Sequence, residues 1–104
     1  MERYCATFRI APGSEEEFRR RHVDIWPEMV EGLSAVGFVN YSLFRRGTHV
    51  IAYGECHPDV KSCFARFSAL PVAQRWNDSM ADMVLEIVNE AGDPYRYGEV
   101  WHLE

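Results

Sequence analysis

The sequence contains no apolar run that approaches the roughly 20 residues needed by a membrane-spanning helix. The opening segment Met1–Cys5 has no apolar core of the kind that a secretion signal carries. The whole sequence has three cysteines, Cys5, Cys56 and Cys63, which is an odd number, and they lack the spacing of a disulfide framework. Reduced thiols of this kind are typical of the cytosol, so we expect a cytoplasmic protein that makes no use of a membrane.

A surplus of basic residues is also lacking. Lys and Arg number 11 against 16 Asp and Glu, which gives a formal net charge of −5. Binding to phosphates requires a basic surface, so this balance argues against a nucleic-acid partner. The run Arg19–Arg21 follows the acidic Glu15–Glu17, as on an ordinary solvated helix face.

No motif for a cofactor or a metal is present. The sequence has no glycine-rich phosphate loop, no dinucleotide fingerprint and no nucleophile elbow. Cys56 and His57 are adjacent and Cys63 follows, but this arrangement lacks the paired spacing of a zinc site. We therefore predict a protein without a metal or a cofactor.

What the sequence does contain is the composition of an ordinary globular protein. It has 104 residues, of which 47% are hydrophobic and 26% are charged. This length fits one domain over residues 1–104. The core of such a small domain is modest, and pairing with a second copy would bury more apolar surface.

The first third of the chain predicts a strand and a long helix. Apolar and polar residues alternate over 4–10, as in a half-buried strand. Ser14 stands three residues before Glu17, which is the spacing of a capping box at the start of a helix. We expect this helix to kink at Pro27 and to end near Gly37.

The remainder predicts a hairpin, further helices and a last strand. Residues 38–44 and 49–56 read as strands joined by a turn at 46–48, with one face of the first strand carrying Val39, Tyr41 and Leu43. Helical spacing begins after Asp59, is interrupted at Pro71 and continues to Ile87. Alternation returns over 95–103. This order is the βαββαβ pattern of a ferredoxin-like α+β domain, an antiparallel sheet with its helices on one face.

His22 is the residue best placed for chemistry. It lies in the apolar stripe of the first helix, with Phe18 and Trp26 one turn away on either side. An imidazole among aromatic rings could give and take a proton near neutral pH. A core histidine that simply hydrogen-bonds a neighbour would occupy the same position, and the residues alone favour that structural interpretation.

Tyr41 and Trp76 also fall on inward faces. Aromatic rings can stack on the C–H face of a sugar, and a phenol can bind a hydroxyl, although either residue could equally be core. Asp24 and Glu28, near the expected kink, could supply a second acid or base but are more commonly solvated helix charges.

Several segments together resemble the L-rhamnose mutarotase family. That family has an Arg-Arg-His followed by x-x-Ile-Trp-Pro-Glu, which matches residues 20–28 here. The similarity continues through Asn40–Phe44 and Gln74–Trp76 with Met80, Asp82 and Met83, and it closes at Glu99–Leu103. These matches keep their order and spacing over nearly the whole chain, which makes the resemblance far more specific than any one motif.

The resemblance implies a homodimer of the dimeric α/β-barrel type that interconverts the α and β anomers of a sugar. The family's acid histidine matches His22, and its sugar-binding tyrosine matches Tyr41. The first of its tandem tryptophans matches Trp76, while the second is Asn77 here. The family's substrate-binding tyrosine before the histidine is Phe18, which lacks the hydroxyl. These two departures bear on the choice of sugar, so L-rhamnose, fucose and other deoxyhexoses stay open.

Three points remain open at the level of sequence. The base that would work with His22 could be Asp24, Glu99 or a water molecule. A cofactor-free monooxygenase of the dimeric α+β barrel type has the same order of elements, and it is the alternative enzyme. A small-ligand-binding module, in which His22 is structural, is the non-enzymatic alternative.

Overall fold

The computed structural model describes residues 1–104 and contains five strands and four helices. In chain order, and with the bounds of each element, these are β1 (Glu2–Ile10), α1 (Glu15–Val23), α2 (Pro27–Ala35), β2 (Phe38–Arg46), β3 (His49–Cys56), α3 (Val60–Ser68), α4 (Pro71–Met80), β4 (Val84–Leu85) and β5 (Tyr95–Arg96). No helix is long and apolar enough to cross a membrane.

The strands form one antiparallel sheet in the order β2-β3-β1-β4, with β5 also paired to β1. The two long pairings are β1 with β3, from Glu2 opposite Cys56 to Arg9 opposite His49, and β2 with β3. Two short pieces occupy the remaining side of β1: β4 pairs with Arg9 and Ile10, and β5 with Ala6 and Thr7. The predicted ferredoxin-like α+β class is confirmed, with its fourth strand divided in two.

One face of the sheet packs against the helices. Strand side chains that alternate toward this face are buried in two adjoining clusters with side chains from the helices. The first cluster consists of Tyr4, Ala6, Val36, Phe38, Ala52, Cys56, Val60 and Cys63. The second consists of Ile10, Phe18, Met29, Val50, Val72, Trp76, Met80 and Met83.

The first helical region differs from the prediction of one kinked helix. The chain leaves the helix after Val23 and begins a separate helix at Pro27. Proline has no N–H to continue the helical ladder and forces the residue before it to be extended, and Trp26 is extended, with φ −60° and ψ 132°. Proline is well suited to the first turn of the second helix, where its missing N–H costs nothing.

The predicted capping box is also wrong. Ser14 does occupy the N-cap of α1, but its side chain makes no capping hydrogen bond. Glu17 binds Arg20 and Arg21 instead, because these cations lie one turn along the same helix. The neighbouring Glu15 carboxylate accepts a hydrogen bond from the Gly13 N–H.

The predicted end of α2 is confirmed, as are the hairpin and the break at Pro71. Val36 caps α2, and Gly37 follows with φ +112°, a conformation that favours glycine. The hairpin turns at Gly47, which has φ +59°. Two predictions for the C-terminal part were too long. Helix α4 ends at Met80 and does not reach Ile87. Of the predicted last strand, only Tyr95–Arg96 is paired with β1, and the Tyr97 N–H adds one hydrogen bond to the Cys5 carbonyl.

Strand β2 contains a bulge that decides where Tyr41 points. Val39 lies opposite Glu55 and Ser42 opposite Tyr53, so two residues of β2 face the single Gly54. Asn40 adopts φ +50°, a left-handed conformation that asparagine tolerates better than most residues. The prediction that Val39 shares a face with Tyr41 and Leu43 is therefore wrong. Because of the bulge, Tyr41 and Leu43 point toward the helices, whereas Val39 points to the other side of the sheet.

The second face of the sheet carries no helix. Phe44 and Ile51 are paired across β2 and β3 on this open face and are 59% and 43% exposed. The segment that follows β5 has no regular structure, and its Val100 and Trp101 are 97% and 77% exposed. A salt bridge connects this segment to the sheet, since the Arg3 guanidinium on β1 lies 3.1 Å from the Glu99 carboxylate.

Candidate active site

His22 lies half-buried on the last turn of α1, where its ring is fixed by a backbone contact. Nδ1 is 2.8 Å from the carbonyl oxygen of Phe18, four residues earlier on the helix. A carbonyl oxygen can only accept, so Nδ1 carries the hydrogen of this bond. In the neutral imidazole the lone pair is then on Nε2, which makes no hydrogen bond within the chain. The exchangeable position of His22 is therefore Nε2.

Two aromatic rings pack against the imidazole, and two more pack against those rings. The Phe18 ring is tilted against it at a centroid distance of 4.4 Å, and the Trp76 ring meets it edge-on at 5.4 Å. Trp26, extended between α1 and α2, packs perpendicular to Trp76 at 5.2 Å. Phe8 on β1 closes the far side of Phe18 at 6.0 Å. The imidazole therefore lies among apolar rings, with Nε2 as its exchangeable position.

The sequence-predicted residues Phe18, His22, Trp26 and Trp76 are thus brought together, whereas Tyr41 is not in contact with them. Tyr41 packs edge-on against Phe38 at 5.4 Å and lies over Gly54. Burial of the phenol raises its pKa, although 37% of the residue stays exposed. Tyr41 belongs to the same helix-covered face of the sheet, beside the first of the two core clusters.

The two positions that depart from the family pattern differ in their surroundings. Phe18 is 4% exposed and is a core residue, so its ring serves packing while its carbonyl orients His22. Asn77 is exposed on α4, next to the buried Trp76, and makes no side-chain hydrogen bond. Asn77 therefore points to solvent.

The candidates for a second acid or base are separated by the structure. Asp24 is exposed at the end of α1, two residues from His22. Glu28 is engaged by Arg75 at 2.6 Å. Glu99 is bound to Arg3, on the opposite face of the sheet from His22. Glu99 therefore lies away from the imidazole within one chain, and Asp24 or water as the base stays a prediction.

Two surface depressions lie away from His22. One, of about 440 Å³, is next to the hairpin and includes Phe44 and His49, and the other, of about 340 Å³, includes Arg3 and Trp101 under the C-terminal segment. Both are on the open face. No group of three or more His, Cys, Asp or Glu side chains lies close enough together to hold a metal ion.

Sequence reasoning missed two contacts around His22. The alternation in β1 places Phe8 on the inward face, but nothing in the sequence indicates that it meets Phe18. Arg21, which read as a solvated charge, donates a hydrogen bond to the backbone carbonyl of Ser79 on α4. A basic run beside an acidic run gives no signal of such a contact between helices.

Comparison with solved structures defines the fold class. An L-rhamnose mutarotase from Formosa agariphila superimposes with a TM-score of 0.78 over 100% of both chains at 23% identity. The tetracenomycin F2 cyclase of Streptomyces glaucescens, a type-II polyketide cyclase, gives a TM-score of 0.68 at 14% identity, covering 98% of this chain and 96% of the cyclase chain. The chain therefore has the fold of the dimeric α+β barrel class, which hosts more than one chemistry.

Sequence comparison defines the family. The family model described as L-rhamnose mutarotase matches residues 3–103. An L-rhamnose mutarotase of Listeria monocytogenes serovar 1/2a is 31% identical over 105 residues, covering 99% of both chains. One from Bacillus subtilis strain 168 is 35% identical over 86 residues, covering 81% of both. The chain belongs to the L-rhamnose mutarotase family.

Proposed function

We propose that this protein is an isomerase that interconverts the α and β anomers of L-rhamnose or a related deoxyhexose, with His22 as the proton donor and residues 1–104 acting as one mutarotase domain. The observation that carries the role of His22 is its Nδ1 contact with the Phe18 carbonyl at 2.8 Å. That contact reserves Nε2 for exchange with a substrate. The family relationship supports the reaction, and it does not favour the monooxygenase alternative.

The chemistry requires a proton to move at two oxygens of the sugar. Ring opening breaks the bond between C1 and the ring oxygen, while the hydroxyl on C1 loses its proton and becomes a carbonyl oxygen. Protonated His22 delivers the Nε2 proton to the ring oxygen, and a base removes the hydroxyl proton. After rotation about C1–C2, the former ring oxygen attacks the other face of C1 and returns its proton to Nε2, while the base gives its proton back to the carbonyl oxygen, which becomes the C1 hydroxyl again. A positioned acid of this kind contributes roughly 10²–10⁴-fold to the rate.

The second proton goes to Asp24 or to water in this proposal. Asp24 is exposed at the C-cap of α1, two residues after His22. Trp26 and Trp76 form a corner of two perpendicular rings, against which the C–H face of a sugar can stack. Tyr41 and Asn77 supply polar groups toward hydroxyls at a greater distance from the imidazole.

Anomer exchange measured by saturation-transfer NMR tests the proposal directly. Addition of the protein should speed exchange between the anomers of L-rhamnose, and His22→Ala should lose roughly 10²–10⁴-fold of that acceleration. Asp24→Asn separates the two candidates for the base, because a water base leaves its rate unchanged. Wild-type exchange by His22→Ala would exclude His22 as the acid. Oxygen uptake without exchange would indicate the monooxygenase, and sugar binding without exchange would indicate the binding module.

The choice of sugar is tested on the same assay with L-rhamnose, L-fucose and other deoxyhexoses. Phe18→Tyr and Asn77→Trp restore the two residues in which this chain departs from its family. If these positions select the sugar, the variants should change the order of preference among the panel while leaving exchange active. An unchanged order in both variants would place the selection elsewhere.

We also propose a cytoplasmic homodimer formed through the open face. The exposed Phe44 and Ile51 support this interface, because an uncovered apolar sheet face favours a partner. Three cysteines without a disulfide support the compartment. Sedimentation should give a dimer for the wild type and a monomer for Ile51→Glu, while Val30→Glu on the outer side of α2 should stay dimeric. A wild-type monomer, or a dimeric Ile51→Glu, would contradict the interface.

A further inference from the structure

The helix that carries His22 is joined to the helix that carries Trp76 by a single hydrogen bond. Arg21 Nη1 on α1 donates to the backbone carbonyl of Ser79, near the end of α4. No other hydrogen bond links these two helices. Since α1 is short and separated from α2, its orientation against α4 depends on few contacts.

The surroundings of both the donor and the acceptor favour this hydrogen bond. The last four carbonyls of a helix have no partner within the helix, and Ser79 contributes one of them. A cation is favourable near that end because of the helix dipole. On its own helix, Arg21 Nε donates a hydrogen bond to the Glu17 carboxylate at 2.9 Å. This second bond restricts the orientation of the guanidinium. The side chain of Arg21 is only 29% exposed.

The bond connects the neighbours of two residues in the proposed site. Arg21 directly precedes His22, and Ser79 lies one turn after Trp76 and donates its own hydroxyl to the Trp76 carbonyl at 2.7 Å. The rings of His22 and Trp76 meet edge-on at 5.4 Å. We infer that Arg21 is a positioning residue, which sets the distance and angle between the His22 imidazole and the Trp76 wall. This inference rests on the proposed role of His22.

The adjacent Arg20 offers a matched control. It also binds Glu17, through Nη2 at 2.6 Å, and carries the same charge on the same helix. Its side chain is 59% exposed and makes no hydrogen bond to α4. Arg20→Gln therefore removes a charge and a Glu17 contact without touching the link between the helices.

The test compares Arg21→Gln, Arg21→Lys and Arg20→Gln in the intact chain. We expect Arg21→Gln to lower kcat for L-rhamnose exchange by about tenfold or more, since small misplacements of catalytic groups are costly. Arg20→Gln should stay within about twofold of the wild type, as surface substitutions commonly do. Arg21→Lys keeps the charge but has one nitrogen in place of the two that bind Glu17 and Ser79, so it should recover only part of the rate. In NMR spectra without sugar, the Trp76 indole N–H and the His22 ring protons should shift in Arg21→Gln but not in Arg20→Gln.

Three results would overturn the inference. Arg21→Gln could retain the wild-type rate and spectra, Arg20→Gln could slow exchange equally and reveal a pure charge effect, or Arg21→Lys could be no faster than Arg21→Gln. The NMR signals keep this test separate from the proposed function. If His22→Ala retains exchange, the role of His22 is refuted, while the Trp76 shift still reports whether Arg21 holds α1 against α4.

Discussion

Replacing Gly54 with alanine would put a methyl group into space that the Tyr41 ring occupies. A Cβ built at this position lies 2.6 Å from Cδ2 of Tyr41, whereas carbon atoms in contact prefer about 3.5–4.0 Å. The ring or the strand must therefore move by about 1 Å. Overpacking of this kind costs about 1–3 kcal/mol. For a chain of this size, that loss corresponds to a fall in Tm of roughly 4–20 °C.

A double-mutant cycle identifies the source of the cost. Tyr41→Ala removes the ring, so Gly54→Ala should cost little in that background and about 1–3 kcal/mol in the wild type. Gly98→Ala is the control, because a Cβ there meets no atom within 4 Å. Chemical denaturation measures all of these variants. Equal costs of Gly54→Ala in both backgrounds would refute the steric explanation, since the strain would then belong to the backbone.

Two further predictions concern titratable groups. Burial raises the pKa of the Cys56 thiol to about 11, and Cys63 is buried as well, so a Cys5→Ser chain should take up a thiol reagent only in denaturant. Native labelling of that variant would contradict the burial. Hydrogen bonds from Arg20 and Arg21 lower the pKa of Glu17 from 4.5 to about 2, so its stabilising effect is present above pH 4.5 and is lost as the pH falls toward 2. Glu17→Gln should therefore have a lower free energy of unfolding than the wild type at neutral pH and the same value in acid, as measured by denaturation at stepped pH. A difference in stability that persists in acid would show that the carboxylate charge is not its cause.

The elements that the sequence predicts well are those with a local signal. Alternation identifies β1 and β3, and glycine marks both the end of α2 and the hairpin turn. The predicted last strand failed because alternation describes only which faces the side chains take. A strand also needs a neighbour with free backbone groups. Along β1, one side is filled by β3, and on the other β5 pairs with Ala6 and Thr7 before the chain leaves the sheet.

The aromatic group around His22 was predictable only in part. Helical spacing places Phe18 one turn before His22, whereas Trp26 lies in the extended link before α2 and joins the group by packing on Trp76. Trp76 comes from a different helix, and no local pattern brings it to the imidazole; the family resemblance supplied it. Neither a local pattern nor the family resemblance indicates the hydrogen bond from Arg21 to Ser79. This bond joins a charged side chain to a backbone carbonyl that any residue would provide.

The bulge at Asn40 gives β2 one residue more than its partner strand requires. Deleting Asn40 would make the register between Val39 opposite Glu55 and Ser42 opposite Tyr53 continuous, and Val39 and Tyr41 would keep the sides of the sheet to which they point now. In related sequences, a one-residue gap at the position of Asn40 should therefore leave the tyrosine on the helix-covered face. The turn at Gly47 has open space around it and should vary freely in length. A gap at the position of Asn40 in an alignment then marks the members of the family whose second strand is regular.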